Sequence, residues 1–431
     1  MTTLLSFLFV LGVLVFVHEL GHFLVARWYG VRVITFSLGF GPKILKFVRG
    51  GTEYCVSIVP LGGYVKMAGE TVEENREGAP DEFLSKSKWV RFQVYLAGPV
   101  MNILLAIVVL AGVLSTGANV PLYRSSAAIV GTVVEGSPAE AAGLQVGDRI
   151  VSVDGRDVET WDAMALEVAT KGGRELQMAV DRGGQSVALR VTPNAVGRYE
   201  MGEIGIGPVL RPQIVTVRPG SPAERGGLRP GDAILAVGER HRPSHEQVID
   251  GIQASANTAL PIVVERDGEQ VTLSVTPEGP EGEGLIGVEL REMETRVIDP
   301  SLAEAFQLSL QENWESTLFI GRTLRGLFTA DTPMRQLMGP VAIAELSGTA
   351  ASAGWVALFG LMAGLSLNLG LINLMPVPVL DGGHILILLV EGIARRDMSL
   401  RVKERVLTAG AVAIVLLMVT VIFNDITRLL R

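Results

Sequence analysis

"LVFVHELGHF", residues 14–23, sets two histidines and a glutamate inside an apolar run that begins near residue 3. His18 and His22 are four residues apart, so on a helix they share one face. Two imidazoles so placed can grip one zinc ion and leave Glu19 beside it to activate water. Ionisable groups are costly in hydrocarbon, and a histidine pair with a carboxylate inside a span marks a functional site. The run lacks a basic leader and a small-residue cleavage site, so it reads as a retained span and not as a signal peptide.

Three further stretches approach the roughly 20 apolar residues that a span requires. The four together are about residues 3–26, 94–116, 353–375 and 406–423. Residues 27–91 carry ten Lys/Arg, and residues 391–406 add Arg395, Arg396, Arg401, Lys403 and Arg405. The positive-inside rule makes both loops cytoplasmic and turns the 124–300 region outward. That region holds 17 Lys/Arg against 27 Asp/Glu, in a chain of net charge −8. Nothing in this balance points to nucleic acid. The single cysteine, Cys55, excludes an internal disulfide and a Cys-based zinc site.

The outward region is a repeat. "TVVEGSPAEAAGLQVGDRIVSVDG" from Thr132 returns as "TVRPGSPAERGGLRPGDAILAVGE" from Thr216, and "DRGGQSVALRVTP" (181–193) returns as "ERDGEQVTLSVTP" (265–277). The offset is 84 residues at both ends, which means tandem copies of one domain. Ser137 and Ser221 are N-cap candidates with Pro138 and Pro222 at the first helical position. Helices follow near 161–170 and 244–254, then a hairpin turning at Gly183-Gly184 or Asp267-Gly268. The pattern resembles the circularly permuted PDZ domain of bacterial proteases, which implies peptide binding by strand addition near 204–210 and 285–290. Folded spacers that limit access by size are the alternative.

A catalytic zinc takes three protein ligands plus water. The third is sought in "NLMPVPVLDGGH" (373–384), where prolines and glycines interrupt an apolar segment and leave Asp381 at membrane depth. Irregular backbone there must be packed by protein or line a cavity. The first and third spans both run inward, so Asp381 can meet His18 and His22 at one depth; His384 is the competing ligand. A second pair with the same spacing, His241 and His245, is broken by Pro243 and reads as a solvated loop and helix start.

His-Glu-Leu-Gly-His in a first span, "NLMPVPVLDGG" in a third and a PDZ repeat between the second and third resemble the site-2 protease family along nearly the whole chain. That resemblance implies zinc held by His18, His22 and Asp381, Glu19 as catalytic acid/base and Asn373 in substrate handling. It implies intramembrane cleavage of single-span proteins, such as an anti-sigma factor already trimmed outside the membrane, and of remnant signal peptides. It places the chain in a bacterial inner membrane, with zinc near the cytoplasmic side and the PDZ domains in the periplasm. Residues 31–70, with Gly50-Gly51 and Gly62-Gly63 as turn or close-approach signals, resemble the family's membrane-associated β-hairpin. An edge near "SIVPLGGYV" is expected to pair with unwound substrate, which assigns Gly62 and Gly63 to substrate binding. Two other classes compete: a non-catalytic PDZ scaffold binding protein termini, which has no need of Glu19, and a metal transporter, which needs more intramembrane ligands than the spans offer.

The expected architecture is a polytopic α-helical membrane protein with four transmembrane helices, the hairpin and two tandem permuted PDZ domains. Its parts are the first helix at 1–28, a cytoplasmic loop with the hairpin at 29–92 and the second helix at 93–117. The PDZ domains cover 124–208 and 209–295. An interfacial amphipathic helix and linker follow at 301–345, the third membrane segment at 350–392 and the fourth helix at 404–425.

Overall fold

The computed structural model describes residues 2–70, 78–197, 200–298, 300–329 and 338–429. The chain divides into two compact units, one of residues 1–117 with 299–431 and one of residues 118–298.

In the first unit, α1 spans Thr2–Trp28, and the ribbon β1 (Val33–Arg49) and β2 (Thr52–Met67) follows it. The helices α2 (Lys88–Leu114), α3 (Leu302–Phe328), α4 (Pro340–Ala353), α5 (Trp355–Asn373), α6 (Asp381–Ile393) and α7 (Leu400–Leu429) complete it. Among the described residues, α1, α2, α5 and α7 are long and apolar enough to cross a membrane. They leave Leu4, Phe9, Leu24, Leu104, Val108, Leu416 and Val419 exposed, as lipid-facing helices do.

In the first unit α1 and α2 each bury one stripe, with small residues concentrated on the α2 side. In α1 the buried positions Val10, Leu14, His18, His22 and Ala26 step by four, along one face. Opposite them α2 buries Val94, Gly98, Asn102 and Ala106 at the same step. Without a hydrophobic drive between helices in lipid, such close backbone approach is what holds them. Val10, Leu14 and Met362 form a core joined by Leu105, Val109, Phe359 and Leu369, so α1, α2 and α5 meet there.

α2 begins at Lys88, capped by the Ser87 side chain, five residues before the expected start at 93. Its first turn is basic, so hydropathy detects the helix late. The third apolar segment is broken: α5 ends at Asn373 and α6 begins at Asp381. Pro376 and Pro378 lack an N–H and bias Met375 and Val377 away from helix. Within 301–345, where an interfacial helix is expected, the structure has α3, whose buried seam of Ala305, Ser309 and Asn313 includes a hydroxyl donated to the Ile107 carbonyl of α2 at 2.7 Å.

The ribbon turns at Gly50-Gly51, where Arg49 is registered with Thr52. It then does something the strand pattern did not announce. Thr35, Phe36, Ser37 and Leu38 are registered with Glu53, Tyr54, Cys55 and Val56, and also with Lys66, Val65, Tyr64 and Gly63. β1 therefore bends near Gly39–Gly41, and its inner half lies between two rows of β2. Phe36, Val65, Met67, Ala26, Phe83 and Val94 seal it against α1 and α2. The outer half leaves Ile44, Leu45, Phe47 and Val48 exposed.

The second unit shows the repeat in three dimensions. Ser137 and Ser221 cap single turns that begin at Pro138 and Pro222. Strands Arg149–Val153, Leu176–Arg182 and Gln185–Val191 line up in one sheet. Their counterparts Ala233–Val237, Leu260–Arg266 and Glu269–Val275 do so in the other. Asp148 takes two bonds from Arg182, each 2.7 Å, and Asp232 takes two from Arg266, also 2.7 Å. Each arginine further donates to the Gly143 or Gly227 carbonyl. Every member of one triad lies 84 residues from its twin. Ile206–Pro208 pairs with Val130–Val133, and Val288–Arg291 with Gln213–Val217.

Candidate metal centre

Three side chains from the two ends of the first unit converge. His18 Nε2 lies 3.2 Å from Asp381 Oδ2, His22 Nε2 lies 3.5 Å from Asp381 Oδ1, and the two Nε2 atoms are 3.2 Å apart. All three side chains are at most 14% exposed. Tetrahedral zinc with bonds of about 2.0–2.1 Å sets its ligand atoms about 3.3 Å apart. The separations fit that donor set. The His22 tautomer fits too: its Nδ1–H donates to the Val94 carbonyl at 2.7 Å, which leaves Nε2 as a lone pair.

The backbone explains how the groups come so close. Pro99 sits inside α2 and cannot donate to its own turn. Proline in a helix interior frees the carbonyl four residues earlier, here that of Tyr95, the neighbour of the Val94 carbonyl that His22 meets. Gly98 faces both rings: a Cβ there would stand 2.3 Å from His22 Nε2 and 2.9 Å from His18 Cε1. At Asp381 the chain doubles over the start of α6. A Cβ at Gly382 would lie 2.3 Å from the Leu374 and Met375 carbonyl oxygens. Val379 holds φ at 84°, which strains a β-branched residue, and strain of this kind gathers at functional sites.

Glu19 is half-buried beside the pair. Gly63 allows a close approach to it, since a Cβ there would lie 2.8 Å from Val15 Cγ1 and 3.0 Å from Glu19 Cγ. Gly62, at φ 116°, packs under the Phe40 ring. Asn373 is the last residue of α5 and is half-buried. His384 is not part of the converging trio; it stacks on Tyr95 with ring centroids 4.7 Å apart and planes 7° apart. His241 lies on a short strand and His245 opens a helix, so that pair shares no helical face. Cys55 is buried in the ribbon.

Sequence reading missed the α2 contribution. Gly98, Pro99 and Asn102 had one legible signal, a proline and an amide inside an apolar span, and only the packing shows what they face.

Residues 6–417 match the family described as Peptidase family M50. A Ralstonia nicotianae protein, described as a candidate zinc metalloprotease, is 34% identical over all of this chain and 99% of its own length. The regulator of sigma-E protease RseP of Escherichia coli is 34% identical over 99% of this chain and 98% of its own. Among solved structures, the PDZ domain of an SdrC-like protein from Listeria monocytogenes is 22% identical, covering 20% of this chain and 88% of its own, with a TM-score of 0.18.

Proposed function

The chain belongs to peptidase family M50, and from that premise we propose that it is a zinc-dependent endopeptidase that cuts peptide bonds within the membrane. The observation that carries the reading is the convergence of His18, His22 and Asp381 beside Glu19, with both histidines and the glutamate on α1, which is long and apolar enough to span a bilayer, and Asp381 at the start of the shorter α6. His18, His22 and Asp381 would hold the metal. Bound there, zinc supplies polarisation of the scissile carbonyl and a more acidic water.

The chain's own residues do the rest. Glu19 takes the proton from the attacking water and passes it to the leaving amide nitrogen. Asn373, at the end of α5, donates to the substrate backbone or the developing oxyanion. No acyl-enzyme forms, so Cys55 has no part. A helical substrate must first be unwound, because its amides are already bonded to one another. The β2 row ending at Gly62-Gly63 offers an extended partner next to Glu19, which makes both glycines substrate-positioning residues in this reading.

The distribution of Lys/Arg supports a centre near the cytoplasmic face of a bacterial inner membrane, with residues 124–208 and 209–295 as periplasmic, circularly permuted PDZ copies. The substrate class that suits this plan is the single-span membrane protein whose outer domain has already been removed. An anti-sigma factor fits, given the sigma-E named for the Escherichia coli relative, and remnant signal peptides fit equally. The acidic repeats then act as a size filter.

The test is Glu19→Gln. Cleavage of a tagged single-span substrate should fall about 10²–10⁴-fold while one zinc per chain is retained. Unimpaired cleavage sinks the acid/base role, and full activity in a metal-free preparation sinks the zinc.

A further inference from the structure

Both imidazoles of the centre need a bare Nε2 to share one cation, so both need a proton on Nδ1. His22 has its proton fixed by the Val94 carbonyl. Among the described residues no backbone carbonyl hydrogen-bonds the His18 ring. The group facing its Nδ1 is the side-chain amide of Asn102, whose Nδ2 lies 3.2 Å away.

Asn102 is completely buried on α2, on the stripe that carries Gly98. Its backbone carbonyl accepts the Ser366 hydroxyl of α5 at 2.7 Å, which pins the residue from a third helix. Its Oδ1 is buried with no hydrogen-bond partner among the described residues. A buried amide oxygen without a partner in a native core calls for an explanation.

An amide nitrogen can only donate. With Nδ2 toward His18, the ring keeps its proton on Nε2, where Asp381 accepts it at 3.2 Å. A half-turn of the amide exchanges Nδ2 for Oδ1, and Oδ1 gives up no existing bond in making it. The oxygen then accepts from His18 Nδ1–H, and Nε2 becomes a lone pair directed at the place His22 Nε2 and Asp381 share.

We propose that Asn102 is a positioning residue that sets the His18 tautomer for zinc, its Oδ1 accepting from His18 Nδ1–H. The inference rests on the zinc reading given above, and the experiment keeps the two apart. Zinc affinity is measured by chelator competition on the full-length protein in detergent, for wild type, Asn102→Leu, Asn102→Asp and His18→Ala. Leucine keeps the branched skeleton but cannot accept, and zinc binding should weaken roughly 10–100-fold. Aspartate accepts the same bond and should hold affinity near wild type. A purely structural role predicts the opposite order, since leucine suits an apolar core and a buried carboxylate does not. Wild-type affinity in Asn102→Leu, or an equal loss in both Asn102 variants, overturns the inference while binding that His18→Ala abolishes leaves the zinc reading standing. A wild type that takes up no zinc overturns both.

Discussion

Gly98→Ala adds one methyl group where two physical effects oppose each other. Alanine is the better helix former, by about 1 kcal/mol. Yet its Cβ would stand 2.3 Å from His22 Nε2, 2.6 Å from His22 Cε1 and 2.9 Å from His18 Cε1. Comfortable contact needs about 3.5 Å, so roughly 1 Å must open between α2 and the rings. The rings are not free to retreat, because His22 is tied to Val94 and both histidines face Asp381. Overpacking of this kind costs about 1–3 kcal/mol, which exceeds the gain in propensity. A displacement of 1 Å at reacting groups costs about 10²-fold in rate. Gly112 on the same helix is the control, since a Cβ there meets nothing within 4 Å. Gly98→Ala should lose zinc in a metal assay and cut a tagged single-span substrate about 10²-fold more slowly. Gly112→Ala should match wild type or melt slightly higher. If Gly98→Ala retains its zinc and its rate, the close approach of α2 to the histidines is not what shapes the centre.

Gly63→Val should slow cleavage with zinc content intact, because the new side chain would press on Glu19 Cγ and Val15 and not on the ligands; unchanged cleavage, measured against metal content, would remove the strand from the mechanism. In the repeats, the Arg182 guanidinium bonded to Asp148 holds its carboxyl below the ordinary value of 3.8. A folded pKa below the unfolded one gives stabilisation that is full above pH 3.8 and lost as pH falls through the folded value. Asp148→Asn should therefore cost about 1.5–3 kcal/mol at pH 7 and much less in strong acid, read by limited proteolysis of residues 118–298 across a urea series; an equal gap at both pH values would refute it. Deleting 127–290 should release cleavage of a substrate that still carries its outer domain, and continued refusal in the same gel assay would contradict the size filter.

The histidine pair and the repeat were legible because their signals are local. An i, i+4 spacing declares its own face, and an offset of 84 residues is visible without any structure. Gly50-Gly51 marked the ribbon turn for the same reason. What escaped depends on distant partners. Asn102 meets His18 across 84 positions, and no periodicity within α2 says which neighbour its buried stripe will face. The doubling of β1 between two rows of β2 escaped as well, since alternation predicts a strand but not how many partners it takes. α2 started early because a Ser87 cap, and not hydrophobicity, sets its first turn.

The distance along the chain between His18 and Asp381 has a temporal meaning. With 363 residues between them in sequence number, and a ribosome adding about 5–20 residues per second, roughly 20–70 s separate the emergence of the first proposed ligand from that of the last. Throughout that interval α1 offers two imidazoles and a glutamate without a third donor. On the proposed ligand set, the donor trio is incomplete until α6 has been made. With the aspartate placed so late, a complete donor trio coincides with nearly completed synthesis in the proposed mechanism.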